Sequence, residues 1–242
     1  MKQTRVSDHL QSYSRERKKR DSSVSKVIDL VSEVANYTAK RESEIRILDV
    51  GCGPGVLVEA LSKKGYDVLG IDSDKKCVDI TESYGRSLLM DASEIAQQFA
   101  GHHFDIVIFK DSLEHMNNPL DIIGQAKAIS GWIIIVVPNP TRIDVMFHNV
   151  TRKDYSNPGH LCCWDRSHLT YFLTNKAGLQ VVNWKINEVR LVPGPLRLPP
   201  AALRRLLTIM LAPVERKLLP KLFPYFSSKL IVLVRPPQYP SP

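Results

Sequence analysis

The stretch FKDSLEHMNNP, Phe109 to Pro119, places Asp111, Glu114 and His115 within five residues. On one helical turn, Asp111 and Glu114 share a face and His115 lies close by, because side chains three and four apart are helix neighbours. Two carboxylates and an imidazole can hold a divalent cation such as magnesium, with coordination positions left for a substrate. The stretch NPGHLCCW supplies a further imidazole, His160. The same residues admit a metal-free reading. In it, Glu114 and His115 are polar groups at a helix start on a pocket rim. His115 or His160 is then a general base, since imidazole titrates near neutrality.

A second constellation is ILDVGCGPGVLVEAL. A strand pattern, Ile45–Val50, runs into Gly51, Gly53 and Gly55, and a helical pattern opens directly afterwards. Glycines there let the chain turn sharply and approach a ligand with no side chain between, at a helix N-terminus. Asp72 closes the second strand about twenty residues on, where a ribose-binding carboxylate belongs in a doubly wound sheet. A dinucleotide loop spaces its glycines G-x-G-x-x-G. Here the spacing is G-x-G-x-G, Asp49 precedes it, and Pro54 removes a backbone donor that a pyrophosphate would use.

The elements that must position these residues alternate. Ile45–Val50, Asp67–Ile71, Arg86–Met90, Phe104–Phe109 and Trp132–Val137 read as short apolar strands. Helical patterns lie between them, near Val56–Lys64, Lys75–Tyr84, Ser93–Phe99 and Pro119–Ala128. Apolar strands joined by helices predict a parallel sheet with right-handed crossovers, an α/β fold. A first amphipathic helix precedes them, with Val24, Val27, Ile28, Val31 and Val34 at helical spacing. After Pro138 comes a long polar and aromatic loop to about Asp165, then a helix near Arg166–Lys176, a strand at Leu179–Ile186 and a last strand in KLIVLVRP.

The chain has 242 residues, 43% hydrophobic and 24% charged, in keeping with one soluble domain spanning 1–242. Its longest apolar run, Trp132 to Val137, is too short for a bilayer, and no secretory leader is visible. Four cysteines, Cys52, Cys77, Cys162 and Cys163, make neither a disulfide framework nor a four-thiolate zinc site, which points to a reduced cytoplasmic setting. The net charge of +8 gathers in RERKKR, within a flexible basic arm over 1–22, and between Arg197 and Lys221. Such zones suit an anionic partner, a membrane surface or RNA.

The D-x-G-x-G-x-G pattern around Asp49, with GIDSD, LLMDASEI and FDIVIFKDSLEHMNNP in order behind it, resembles the class I S-adenosylmethionine-dependent methyltransferases. The likeness covers about Ile45 to Ile186 and the last strand. It implies a doubly wound, Rossmann-like, seven-stranded sheet, mostly parallel, whose last strand is antiparallel. It implies S-adenosylmethionine as cofactor and S-adenosylhomocysteine as product. Asp49 and the Gly51, Cys52, Gly53 and Gly55 backbone would hold the methionine end, Asp72 both ribose hydroxyls, and Asp91 with Ala92 the adenine edge. Ser73 and Lys110 complete that set. The Asp111, Glu114, His115 and His160 group resembles the E-x-x-E-H metal site of two methyltransferase groups, the ubiquinone-pathway O-methyltransferases and those acting on the 2′-hydroxyl of small-RNA ends. Asp111 stands where both have glutamate, one methylene shorter. Nucleic-acid amino methyltransferases carry N-P-P-Y or D-P-P-Y after the fourth strand; FKDS in its place points to an oxygen nucleophile.

Between the last two strands, residues 191–226 form a proline- and leucine-rich insertion. Leu203, Leu206, Leu207, Met210 and Leu211 recur at helical spacing after Pro200, and Pro213, Pro220 and Pro224 are expected to break the rest of the insertion into short pieces. The stretch reads as a cap or lid on the domain, or, over 200–226, as a peripheral contact with an anionic membrane. The expected activity is methyl transfer from S-adenosylmethionine to a hydroxyl of a small-molecule or lipid-linked acceptor. An RNA 2′-O-methyltransferase and a non-catalytic cofactor-binding member of the fold are the alternatives.

Overall fold

The computed structural model describes residues 21–142, 145–146, 159–189, 210–211 and 213–237. The RERKKR arm, and the part of the proposed leucine helix before Met210, lie outside the described residues.

Seven strands form one sheet: β1 (Arg46–Val50), β2 (Asp67–Asp72), β3 (Arg86–Leu89), β4 (Phe104–Lys110), β5 (Ser130–Pro138), β6 (Gln180–Ile186) and β7 (Lys229–Arg235). Their order is β3-β2-β1-β4-β5-β7-β6. The first five pair in parallel, and β7 runs antiparallel to both β5 and β6, so it alone opposes the others. The strand order reverses between β1 and β4, and a crevice at such a reversal, beyond the carboxyl ends of the strands, is where open α/β sheets bind ligands.

Alternate residues of each strand point to opposite faces, which gives two cores. On one face, Ile47, Ile106, Ile108, Ile134 and Leu233 pack with Val27, Leu30, Val31 and Val34 of α1 (Ser23–Thr38) and Leu57, Val58 and Leu61 of α2 (Val56–Ser62). On the other, Leu48, Val107, Phe109, Ile133 and Val232 meet Ile95 of α4 (Ile95–Gln98), Ile122, Ile123 and Ala126 of α5 (Pro119–Ile129), and Leu169 of α6 (Arg166–Tyr171). The remaining helix between strands is α3 (Lys75–Thr81). Central strand β5 is buried from Ser130 to Val137, which is why its sequence is continuously apolar rather than alternating.

Local chemistry sets the helix starts. Asp74 accepts from Lys76 N at α3, Asn118 from Asp121 N at α5 beside Pro119, and Asp165 from His168 N at α6. Two expectations differ. The helix over Ser93–Phe99 is a 3₁₀ turn, Ala92–Glu94, followed by the single turn of α4. Pro220 does not end its helix: a wide i→i+5 turn, Val214–Leu218, runs straight into α7 (Leu219–Leu222), with Pro220 in the first turn of α7. A proline is tolerated there because its missing N–H falls where the hydrogen-bond ladder is already interrupted.

No helix among the described residues is long and apolar enough to cross a membrane.

Candidate cofactor and acceptor site

The glycine loop leaves β1 and returns to α2 through three left-handed glycines, with φ of 74° at Gly51, 54° at Gly53 and 70° at Gly55. A Cβ on Gly51 would stand 2.5 Å from Ser112 Cβ, and one on Gly55 would stand 2.7 Å from Thr81 Oγ1. Ser112, at the end of β4, bonds Val50 O, and Thr81 bonds Gly53 O, so both neighbours are themselves fixed. The loop amides are spoken for. Gly51 N and Cys52 N donate to Ile71 O, Gly53 N to Asp72 Oδ2, and Gly55 N to Cys52 O. Pro54 has no N–H. A pyrophosphate would need those donors. The Asp49 carboxylate lies in the pocket lining instead, which suits a cationic ligand.

A pocket opens against this loop, lined by Val24, Asp49, Gly51, Cys52, Val56, Leu57 and Lys110. Asp49 is almost fully buried. Val24, the second residue of α1, brings the N-terminal helix over the pocket, a role that the strand–helix pattern alone did not assign. The Cys52 thiol is pushed well up by burial and by the Asp49 and Asp72 carboxylates, so it lines the pocket as an inert neutral group.

Asp72 ends β2 with both oxygens anchored: Oδ2 accepts from Gly53 N at 2.8 Å and Oδ1 from Asp74 N at 2.9 Å. Each carboxylate oxygen has a second lone pair, so the anchored group can still accept from two hydroxyls. Ser73 is exposed beside it. Asp91 is exposed and takes Ser93 N at 2.8 Å and Ser93 Oγ at 2.6 Å on one oxygen. Those two bonds hold its carboxyl below the usual range. Asp91 thus starts the turn after β3, with Ala92 half-buried behind it.

Asp111 is not among the residues whose ligand atoms gather with the histidines. Asp111 has a left-handed φ of 54° and precedes the 3₁₀ turn Leu113–His115 rather than sharing a helical turn with Glu114. Its Oδ2 lies 2.9 Å from Lys110 Nζ and 2.5 Å from Lys229 Nζ. Asp21 Oδ2, just before α1, meets the same two lysines at 2.8 and 2.6 Å. Two carboxylates and two ammonium groups thus close a quartet at the ligand edge of the sheet. Burial would raise the two carboxyls, but the fields of Lys229 and Lys110 outweigh it and hold both low. The two carboxylates likewise hold Lys110 high against burial. Lys110 therefore reaches the pocket at the glycine loop with its charge already shared. Sequence reasoning missed Asp21 and Lys229. No local pattern marks a pair 208 residues apart.

Glu114, His115 and His160 do come together, with one ligand atom from each all within 4.8 Å of one another. Leu161 N and Cys162 N both donate to Glu114 O, which folds the segment after the long loop back onto the 3₁₀ turn. His160 Nε2 stands 4.0 Å from Glu114 Oε1, and the two imidazole rings are 4.8 Å apart, edge to face. His115 Nδ1 lies 2.6 Å from Gly159 O, so it carries the proton and leaves Nε2 as the lone-pair nitrogen. The Glu114 side chain is buried, and neither oxygen has a hydrogen-bond partner among the described residues. Burial first, then the Asp111 carboxylate, push its carboxyl up to about 8. Burial and the His115 ring push His160 down.

A doubly wound sheet with a glycine loop and a pocket at its switch point is the architecture of a nucleotide-cofactor-binding fold. Comparison with known proteins makes the class specific. A family model described as a methyltransferase domain matches residues 16–183. The ubiquinone biosynthesis O-methyltransferase of Bordetella avium is 34% identical over 104 residues, 39% of this chain and 43% of that protein. The chain thus spans less than half the length of that curated relative. Magnesium protoporphyrin IX methyltransferase of Synechocystis, solved with bound S-adenosylhomocysteine, superimposes with a TM-score of 0.57 at 14% identity, over 89% of this chain and 83% of that one. The plantazolicin methyltransferase BamL gives 0.64 at 13% identity, over 97% and 91%. The chain belongs to the class I S-adenosylmethionine-dependent methyltransferases.

Proposed function

We propose that this protein transfers the methyl group of S-adenosylmethionine to a hydroxyl of a small-molecule or lipid-linked acceptor. One observation carries the choice of oxygen: Glu114 and His115, in the turn just after β4, gather with His160 from the segment after β5, where the strand ends reach the ligand crevice. The relative named for ubiquinone-pathway O-methylation supports the same reading.

The cofactor roles come from the family resemblance, and the geometry is in keeping with them. Asp72, held by Gly53 N and Asp74 N, takes the ribose hydroxyls. By the resemblance, Asp49 and the Gly51–Gly55 backbone would hold the methionine end, and Asp91 with Ala92 would border the adenine. The His115 tautomer, fixed by Gly159 O, presents Nε2 as a base. The acceptor oxygen attacks the methyl carbon, the carbon–sulfur bond breaks to leave a neutral thioether, and the hydroxyl proton passes to an imidazole. Positioning and exclusion of water supply most of the rate, because the sulfonium is already reactive.

The rim also fits a divalent cation. A buried carboxylate with no hydrogen-bond partner among the described residues, beside two imidazoles, is the donor set such an ion would satisfy. Glu114, His115 and His160 would hold it, and Asp111, bound to two lysines, would not. One carboxylate with two imidazoles favours manganese, iron or zinc over magnesium. Such an ion would lower the pKa of a vicinal diol.

The test is transfer of labelled methyl to a panel of catechols, vicinal diols, simple alcohols, amines and thiols. Label on hydroxyl acceptors, lost in His115→Ala, is expected. Label confined to amines or thiols refutes the oxygen assignment. Calorimetric titration of manganese, zinc and magnesium into the S-adenosylhomocysteine complex decides the cation, with Glu114→Ala/His115→Ala as control.

A further inference from the structure

The segment from Pro213 to Phe226 carries exposed apolar side chains that the methyltransferase reading does not use. Leu218, Leu222, Phe223 and Tyr225 are 51%, 59%, 46% and 63% exposed, whereas Leu219 between them is buried. Leu218 and Leu222, four apart across the start of α7, share one face. Lys217 and Lys221 repeat the same spacing one residue earlier and are exposed beside them. Residues 213–226 hold three cations, Arg216, Lys217 and Lys221, against one anion, Glu215.

The backbone under this ridge is held firmly. Glu215 O accepts from Val189 N, and Arg216 pairs with Glu188 at 3.7 Å. Asn139 Nδ2 donates to both Tyr225 O and Ser227 O. The Arg166 guanidinium stacks on the Tyr225 ring at 5.1 Å and on the Trp184 ring at 4.7 Å. The backbone that presents these leucine and aromatic side chains is therefore held against the domain. The ridge leads directly into Lys229, the first residue of β7, which pairs with Pro138 at the carboxyl end of β5. It thus adjoins the carboxyl end of β5, the edge of the sheet where, on the proposed function, an acceptor would enter.

We propose that Leu218, Leu222, Phe223 and Tyr225, with Lys217 and Lys221 around them, dock this protein on an anionic phospholipid surface. Apolar side chains ringed by lysines match that surface in both respects: the rings and leucines enter the acyl boundary while the ammonium groups stay at the phosphates. A protein partner fits less well. Four half-exposed side chains, two of them aromatic, offer roughly 400 Å², short of the ~800 Å² per side that a stable interface needs. Docking in this orientation brings the acceptor edge to the bilayer, which gives a lipid-linked acceptor a direct route to the site.

The full-length protein would be sedimented with vesicles of phosphatidylcholine alone and of phosphatidylcholine with phosphatidylglycerol. Binding to the anionic vesicles is expected, with a loss of about tenfold or more for Leu218→Ser/Leu222→Ser and again for Lys217→Gln/Lys221→Gln. Affinity for S-adenosylhomocysteine should be unchanged in both variants, which shows the fold intact and keeps the result independent of methyl transfer. Absence of binding overturns the proposal. So does binding that the leucine variant retains, or that only neutralisation of Arg15–Arg20 abolishes. Dimers in light scattering that dissociate in the leucine variant would make the ridge an interface between copies and overturn it as well.

Discussion

Replacing Asp21 by Asn should destabilise the protein by about 3 kcal/mol. The Asp21, Lys110, Asp111 and Lys229 side chains are only 9–22% exposed, so the quartet behaves as a buried network rather than a surface pair. Removing one partner of a buried pair costs about 3–5 kcal/mol, because a charge is left without compensation, and the residual exposure places this case at the low end. Slopes of ~1–3 kcal/mol per molar urea, near the upper end for this length, translate the loss into a midpoint about 1 M lower. The same substitution made in a Lys110→Met background should cost less, since the uncompensated ammonium is gone. Acid provides an independent check. Both carboxyls are held low in the folded state, so their contribution is present above the unfolded value of about 3.9 and fades as pH falls below it. Wild type and variant should therefore converge in stability at acid pH. A midpoint shift within about 0.2 M at neutral pH, as an exposed pair would give, refutes the account.

Three further outcomes rest on single residues. Asp72→Ala should weaken S-adenosylhomocysteine binding by about 1.5–3 kcal/mol in calorimetry, the range for hydrogen bonds to a charged acceptor; an unchanged affinity removes Asp72 from the site. Gly51→Ala should lower stability by roughly 2–5 kcal/mol, from a left-handed backbone and a Cβ 2.5 Å from that of Ser112, and a urea midpoint like wild type would contradict this. Glu114 has a folded pKa raised from 4.5 to about 8, so as pH rises across that window the unfolded chain releases a proton that the folded one keeps. Wild type should thus lose stability relative to Glu114→Gln over that window, in the metal-free protein, and a difference that stays constant with pH would show that the carboxyl is not so perturbed.

Much of the fold was legible because the sheet's own physics writes itself locally. Buried parallel strands need continuous apolar runs, and the runs ending at Val50, Phe109 and Val137 mark β1, β4 and β5 to within a residue or so. The glycine spacing, Asp49 and Asp72 could be read for the same reason: left-handed turns and strand-end carboxylates are properties of short segments. The wide turn that carries Pro220 into a helix was not legible, because it rests on a hydrogen-bond shift that no residue type announces.

The site at β4 divides along the same line. The sequence alone determined that Asp111, Glu114 and His115 stand at the end of a central strand beside the glycine loop, since five residues and a strand pattern suffice for that. Tertiary structure decided which of them belong together. Asp111 is drawn away by Lys110 and by Lys229, brought there by the antiparallel return of β7, while His160 is folded in by two amides on Glu114 O. Local spacing governs where a side chain starts. Which charge it meets depends on strands and loops that converge only when the sheet has closed.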